Sequence, residues 1–580
     1  VHPGQLRLRR KICIAASLAL PLIGSAAEIP TFNGQVSRIL NAHCLVCHGK
    51  DGTGSAASLA SYEEVRAQAV AIRSQVITRA MPPWPADPAQ SEPFRNDARL
   101  SQSEIVSLVS WLDGGMPRGD PHDAAPAPQL SSAWQDPSGR PPDAVVSLPT
   151  FSVKANGEVP YIQTRVKVPF QSDRWISALQ VLPGNSLLVH HMGITEVQLA
   201  SGVTPDNLND LEQVAKRLGL PSGALAAADP AVRDPEDRSA YDMLATYTPG
   251  AGYESYGIGN AKRLKGGDNL YINFNIHYTT TGKPESDISR LGLWFQTEAP
   301  QHELFRTPSA GKTVIANGTQ LLTDTPGTKA EGTDVAIPPV PPNADNYELI
   351  GITAYPQPVT LYTFQPHAHM RGKDFRYLVI YPDGRELKVL TVPRFDFHWQ
   401  LTYELATPLH LPAGSKLVVI AHYDNSDRNT HLLETAAADP ARKCGPEKQA
   451  YFRDQNQSWD EMFSPIVQYS NHGSASGKAG ARAEILAAVG CLVPTPGDGW
   501  QLKNARSIGA SASQSTSQAE LSRQRNTSLG SKHYALIGAR FFNPQRDAGR
   551  KVAVKGALVL DAGEARVNLT SLQALPGSCP

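Results

Sequence analysis

Leu270-Tyr271-Ile272-Asn273-Phe274-Asn275-Ile276-His277-Tyr278 alternates residue by residue between apolar and polar side chains. In an extended chain successive side chains point to opposite faces. Leu270, Ile272, Phe274, Ile276 and Tyr278 therefore share one face, and Asn273, Asn275 and His277 share the other. The stretch predicts a strand with one polar face. Further along, Phe375 to Tyr381, then Pro382-Asp383-Gly384, then Leu387 to Leu390 reads as a hairpin with its turn residues in place. Glycine (46) and proline (47) are scattered as punctuation between short apolar runs, which suits many short strands better than long helices. Antiparallel sandwiches accommodate such patterns, so the expectation is a mainly β protein.

At 580 residues the chain outgrows a single hydrophobic core, so several domains are expected. Lys+Arg and Asp+Glu both total 54, and this balance offers no invitation to nucleic acid or an anionic membrane. Arg7, Arg9, Arg10 and Lys11 precede an apolar core from Ile12 to Ile23, and Ser25-Ala26-Ala27 supplies small residues ahead of Glu28. Residues 1–27 thus read as a cleaved signal peptide, and the apolar run falls short of the ~20 residues that span a bilayer. The expected location is periplasmic or secreted, with no membrane span. Cys13 leaves with that segment, so Cys44, Cys47, Cys444, Cys491 and Cys579 remain, in a compartment that permits disulfides.

Cys44-Leu45-Val46-Cys47-His48 is a C-x-x-C-H motif. Its two thiols can add to haem vinyl groups while the histidine of the same turn reaches the iron. A thioredoxin-like pair should end a strand, yet Phe32, Val36, Ile39 and Leu40 recur upstream at helical spacing. A zinc site would want a second Cys/His pair nearby, and none is present in this segment. One covalently bound haem c is therefore expected on Cys44, Cys47 and His48. For the sixth ligand, Met81 in Arg79-Ala80-Met81-Pro82-Pro83-Trp84 is preferred, with Met116 the rival. A thioether there favours Fe(II). A closing helix is predicted from Ser101, with Glu104 completing a capping box, through Ile105, Leu108 and Leu112 to Gly114. Residues 28–122 thus resemble a small α-helical class I cytochrome c, followed by a Pro-rich linker over 123–145.

Three histidine groups follow: His190-His191-Met192, His277 on the polar face of its strand, and His367-Ala368-His369. On a strand His367 and His369 project from one face and can share a metal. Adjacent His190 and His191 could do so only where a strand ends or bulges. Imidazole suits Zn, Cu, Fe or Ni, and a thioether selects Cu(I). His398 reads as solvated, His422 as a hydrogen-bonded core residue, and His302, His410, His431 and His533 as isolated or turn residues. His472 follows Met462 closely, and Tyr423 and Asp424 are candidates to support a site from behind its ligands.

His190-His191-Met192, the strand ending His277-Tyr278, His367-Ala368-His369 and Ser458-Trp459-Asp460-Glu461-Met462 occur in an order that resembles the copper type II, ascorbate-dependent monooxygenases, the family of peptidylglycine α-hydroxylating and dopamine β-monooxygenases. The resemblance covers roughly residues 150 to 472. It implies two antiparallel, jelly-roll-like β-sandwich copper domains, here over 146–325 and 326–480. It also implies two copper ions, one on His190, His191 and His277, and a catalytic one on His367, His369 and Met462. The disulfide-rich pattern of the animal enzymes is absent, the stretch from Asp427 to Gln457 lacks an obvious counterpart in them, and no residue matches their substrate-binding positions.

The tail, 486–580, suggests a small five-stranded β unit, barrel-like and OB-like in pattern, with Ser507 to Ser522 as a loop. Cys491 and Cys579 bracket it and are one of the pairings open to the three later cysteines. The whole reads as a copper-dependent monooxygenase that hydroxylates a C–H bond of a small organic substrate with O2. Electrons would come from an upstream donor through the haem. The alternatives are a non-catalytic haem/copper electron-transfer or copper-binding protein, and a carbohydrate- or protein-binding module docked to a cytochrome.

Overall fold

The computed structural model describes residues 29–49, 57–126, 134–157, 159–199, 242–327, 329–330, 332–438, 444–452, 458–471, 482–561 and 564–579. The expected signal peptide and His472 lie outside them. The chain is mainly β, with several sheets and few helices. Among the described residues no helix is long and apolar enough to cross a membrane.

The helices of the N-terminal segment gather around the C-x-x-C-H motif. Ser37–His43 and Leu45–His48 flank Cys44, and Val36, Ile39, Leu40 and Leu45 are buried against Leu108, Trp111 and Leu112 of the helix Gln102–Asp113. That last helix starts and stops as its sequence dictates. The Ser101 hydroxyl accepts from the Glu104 N–H, the Glu104 carboxylate accepts from the Ser101 N–H, and Gly114 closes it.

This helical segment does not stand apart from the β regions. Trp84, Ala86 and Phe94 leave it to join the core of residues 310–467, where Trp84 meets Tyr403 edge-on at 4.9 Å. Backbone bonds hold the excursion: the Asp87 N–H donates to the Thr391 carbonyl and the Arg95 N–H to the Glu404 carbonyl. The stretch read as a linker is also partly docked, since Trp134 packs edge-on against Trp294.

A nine-stranded sheet runs through the middle of the molecule. Its pairing of His302–Pro308 with Ile466–Asn471, antiparallel over five residue pairs, joins strands from the two regions expected to be separate domains. At one end its strands Arg174–Leu182 and Arg290–Gln296 cover a four-stranded sheet of Ile162–Lys167, Leu270–Tyr278, Val189–Gln198 and Met243–Tyr247, and their side chains share one core. At the other end Val359–Gln365 and Tyr403–Leu411 pack on a six-stranded sheet that includes the predicted hairpin, Gly372–Ile380 with Glu386–Val392.

Strand Leu270–Tyr278 is where it was predicted, but its polar face is covered too: Asn273 and His277 are buried. A central strand of a two-layered structure has neighbours on both faces, which alternation alone does not reveal. The tail closes into a five-stranded barrel, and Cys491 and Cys579 form a disulfide. The expected loop Ser507 to Ser522 is mostly ordered structure. Strand Gly499–Ala510 enters it and helix Gln518–Gln524, capped by Ser517 and Glu520, begins within it.

Candidate metal centre

Val189–Gln198 pairs antiparallel with Leu270–Tyr278, and His191 lies opposite His277. Adjacent His190 would face away from both in a regular strand. The register slips between Val189 and His191, and this bulge turns His190 to the same side. The result is a cluster of three imidazoles that could hold a metal ion. Their Nδ1 atoms converge, His190 to His277 at 3.2 Å and His191 to His190 at 3.1 Å. Nitrogens about 2.0–2.1 Å from one shared metal would stand slightly farther apart than this, so the donors are close to preformed.

Tyr161, just ahead of strand Ile162–Lys167, stacks its ring on His277 at 4.6 Å with 7° between planes. Its hydroxyl lies 2.9 Å from His191 Nε2. With Nδ1 turned into the cluster, the His191 Nε2–H donates to that hydroxyl, which fixes the tautomer and ring angle. Burial pushes the His190 imidazole down to about 3 and holds His191 and His277 well below the usual histidine range. The rings are neutral near pH 7, the form that offers a lone pair.

His367 and His369 sit just past the end of strand Val359–Gln365 rather than on a strand as expected. Their rings stand 5.5 Å apart at 84°. Met462 likewise precedes strand Ile466–Asn471, and its Sδ lies 3.4 Å from His367 Nε2. Each histidine is oriented from behind. The His367 Nδ1–H donates to Gln400 Oε1, and the His369 Nδ1–H donates to the Asp460 carbonyl at 3.2 Å. Both tautomers thus carry the lone pair on Nε2. Burial pushes His367 down to about 4. Tyr423, one of the two candidate supporting residues, donates to the Met462 carbonyl at 2.8 Å, whereas Asp424 accepts from the Ser426 N–H.

The two donor sets are neighbours. The His191 ring lies 6.1 Å from His367, Tyr161 lies 5.8 Å from His369, and buried Phe397 touches both sets, 5.8 Å from His190 and 6.4 Å from His369. Phe397, His398 and Gln400 belong to a turn that begins at Asp396, where the Trp399 N–H donates to the Asp396 carbonyl. His398 is exposed, as expected, yet its ring also meets His190 at 5.4 Å and His431 at 4.8 Å, so His431 is not isolated either. His410 is held by Thr360 at 2.8 Å. His422 is bonded, as expected, and half-buried between Asp374 and Glu348.

Cys44, Cys47, His48 and Met81 line one cavity of about 400 Å³, within the ~300–1,000 Å³ typical of cofactor sites. Met116 is not on its wall; that side chain packs on the helical core, and its carbonyl accepts from Tyr62. The His48 Nδ1–H donates to the Ala57 carbonyl at 3.0 Å, putting the ring's lone pair on Nε2. The opposite wall comes from the β regions, including Tyr247, Gly250, Tyr256 and Trp399. A Cβ at Gly250 would stand 3.3 Å from Cys47 Sγ, so the space beside that thiol depends on glycine. Trp84 Nε1 and the Tyr256 hydroxyl are buried on this wall without an acceptor.

No protein-family model matches the chain, and no curated protein matches it.

Proposed function

We propose that the protein is an exported copper-dependent monooxygenase, of the peptidylglycine α-hydroxylating and dopamine β-monooxygenase type, that hydroxylates a C–H bond of a small organic substrate with O2. Its electrons would arrive through a c-type haem, which Cys44 and Cys47 would attach and whose iron His48 and Met81 would hold. The observation that carries the reading is the pair of unlike, adjacent donor sets in a chain that also carries the C-x-x-C-H cavity: three imidazole nitrogens in one set, two imidazoles and a thioether in the other. Hard-soft matching suits the first set to either copper oxidation state and the second to Cu(I). This reading divides the β regions into two copper-binding sandwiches.

When bound, the metals supply one-electron storage and oxygen activation, and the haem supplies reducing equivalents one at a time. Inserting one oxygen atom consumes two electrons and two protons and releases one water. The chain's part is positional. Tyr161 holds His191 Nε2–H, Gln400 and the Asp460 carbonyl hold the Nδ1 protons of His367 and His369, and Phe397 keeps water from between the sets.

Copper titration, EPR and haem spectra of the full chain test the donor sets, and O2 uptake with a substrate panel tests the reaction. Two coppers, one haem and substrate-dependent uptake are expected. Met462→Ala should abolish hydroxylation while leaving the three-histidine copper in place. Hydroxylation that survives this substitution would overturn the assignment. The burial of His369 and Met462 favours a second reading, a non-catalytic haem/copper electron-transfer protein. It predicts the same metals and no uptake with any substrate.

A further inference from the structure

The turn from Asp396 to Gln400 reaches both donor sets and the wall of the Cys44/Cys47 cavity. Trp399 stands on the wall of the Cys44/Cys47 cavity, and so do Leu401 and Thr402 just beyond. The preceding residue, His398, puts its ring 5.4 Å from His190, at 75° to it. Phe397 packs on rings of both donor sets, and Gln400 orients His367. Three internal hydrogen bonds hold the turn. The His398 N–H donates to Asp396 Oδ1 at 2.8 Å, the Trp399 N–H to the Asp396 carbonyl at 2.9 Å, and Gln400 Nε2 to the Phe397 carbonyl at 3.1 Å.

Electron tunnelling falls steeply with the gap that must be crossed through space, and bonded atoms extend its reach. Two consecutive aromatic residues, one on the cavity wall and one against His190, shorten the span that must be crossed through space. We propose that Trp399 and His398 form the electron path from the haem cavity to the three-histidine metal, entering at His190. This rests on the haem and copper reading above. Each passage moves one electron and no atoms: haem Fe(II) becomes Fe(III) as Cu(II) becomes Cu(I). The haem is then reduced again by an external small reductant or redox protein. Trp399 and His398 are positioning residues in this scheme, neither ligand nor acid.

A competing path runs along the neighbouring strand Met243–Tyr247. Tyr247 lines the same cavity and pairs with Met192, two residues from His190 on its strand. The experiment must separate the two. The full chain, matured with haem and loaded with copper, is flash-reduced at the haem without O2 by a photoexcited one-electron donor. Haem reoxidation and loss of the Cu(II) EPR signal are then followed.

Trp399→Leu and His398→Leu should each slow the transfer by at least an order of magnitude. Haem spectrum, haem potential and copper content should match the parent. Trp399→Phe should recover part of the rate, which a merely structural role would not produce. An unchanged rate in fully loaded Trp399→Leu, or slowing confined to Tyr247→Phe, overturns the path and leaves the monooxygenase reading standing. A parent protein that takes up no haem or no copper overturns both, and the spectra and metal content show this before any rate is measured.

Discussion

Tyr161 offers its hydroxyl to one histidine and its ring face to another, so it orders two of the three nitrogens at the first donor set. Removing such an orienting bond lowers metal affinity by about 10- to 100-fold in known sites. Tyr161→Phe should keep the stacking and lose the bond, weakening copper binding to that extent in a competitive chelator titration. Unchanged affinity would contradict this role. His422 allows a second test. Hydrogen bonding to Asp374 and then to Glu348 raises it to about 9. Its folded-state value exceeds the unfolded one of about 6.5, so its contribution to stability is complete below that pH and is lost as pH climbs toward 9. Lys416 works in the opposite sense: burial pushes it down to about 7, so its contribution improves with pH across the same window. The difference between parent and His422→Gln isolates the histidine. Denaturant midpoints should converge between pH 6.5 and 9, and a constant gap would refute the linkage.

Elements fix what single residues cannot. The bulge between Val189 and His191 turns an unpromising His-His pair into two converging ligands. The sequence left this open, because a bulge depends on the partner strand's register and not on the bulged residues alone. By contrast, the C-x-x-C-H helix, the capped helix Gln102–Asp113 and strand Leu270–Tyr278 were legible, since each follows from local periodicity or capping chemistry. Tyr161, Phe397 and Gln400 were not. Each is a lone residue in an ordinary stretch, given meaning only by folding against distant strands. The run from Trp84 to Phe94 belongs in the same group. Trp84 reads as part of the Met81 stretch, yet it and Phe94 complete another region's core. Trp84→Ala should therefore destabilise that β core by ~3–5 kcal/mol in chemical denaturation. A loss below 1 kcal/mol would mean the docking is superficial.

At the scale of the molecule, the six-stranded sheet is covered on both faces, by the nine-stranded sheet and by the C-terminal barrel. This is why Leu417, Val418, Val419 and Ala421 are all buried, without the alternation seen in a one-sided sheet. The disulfide fastens the barrel's first strand to the chain's end, closing a loop with a sequence separation of 88. Loop-entropy arguments give about 4–5 kcal/mol for such a closure. Replacing Cys491 and Cys579 by serine should cost that much in the stability of the barrel, measured by thermal or denaturant melts of the oxidised parent and the variant. The pairing of His302–Pro308 with Ile466–Asn471 reaches further, because it makes the protein indivisible. A gene cut near residue 325 would leave a naked sheet edge on each fragment, and such edges recruit strangers. The two halves should be insoluble when expressed apart and recoverable as one particle when co-expressed.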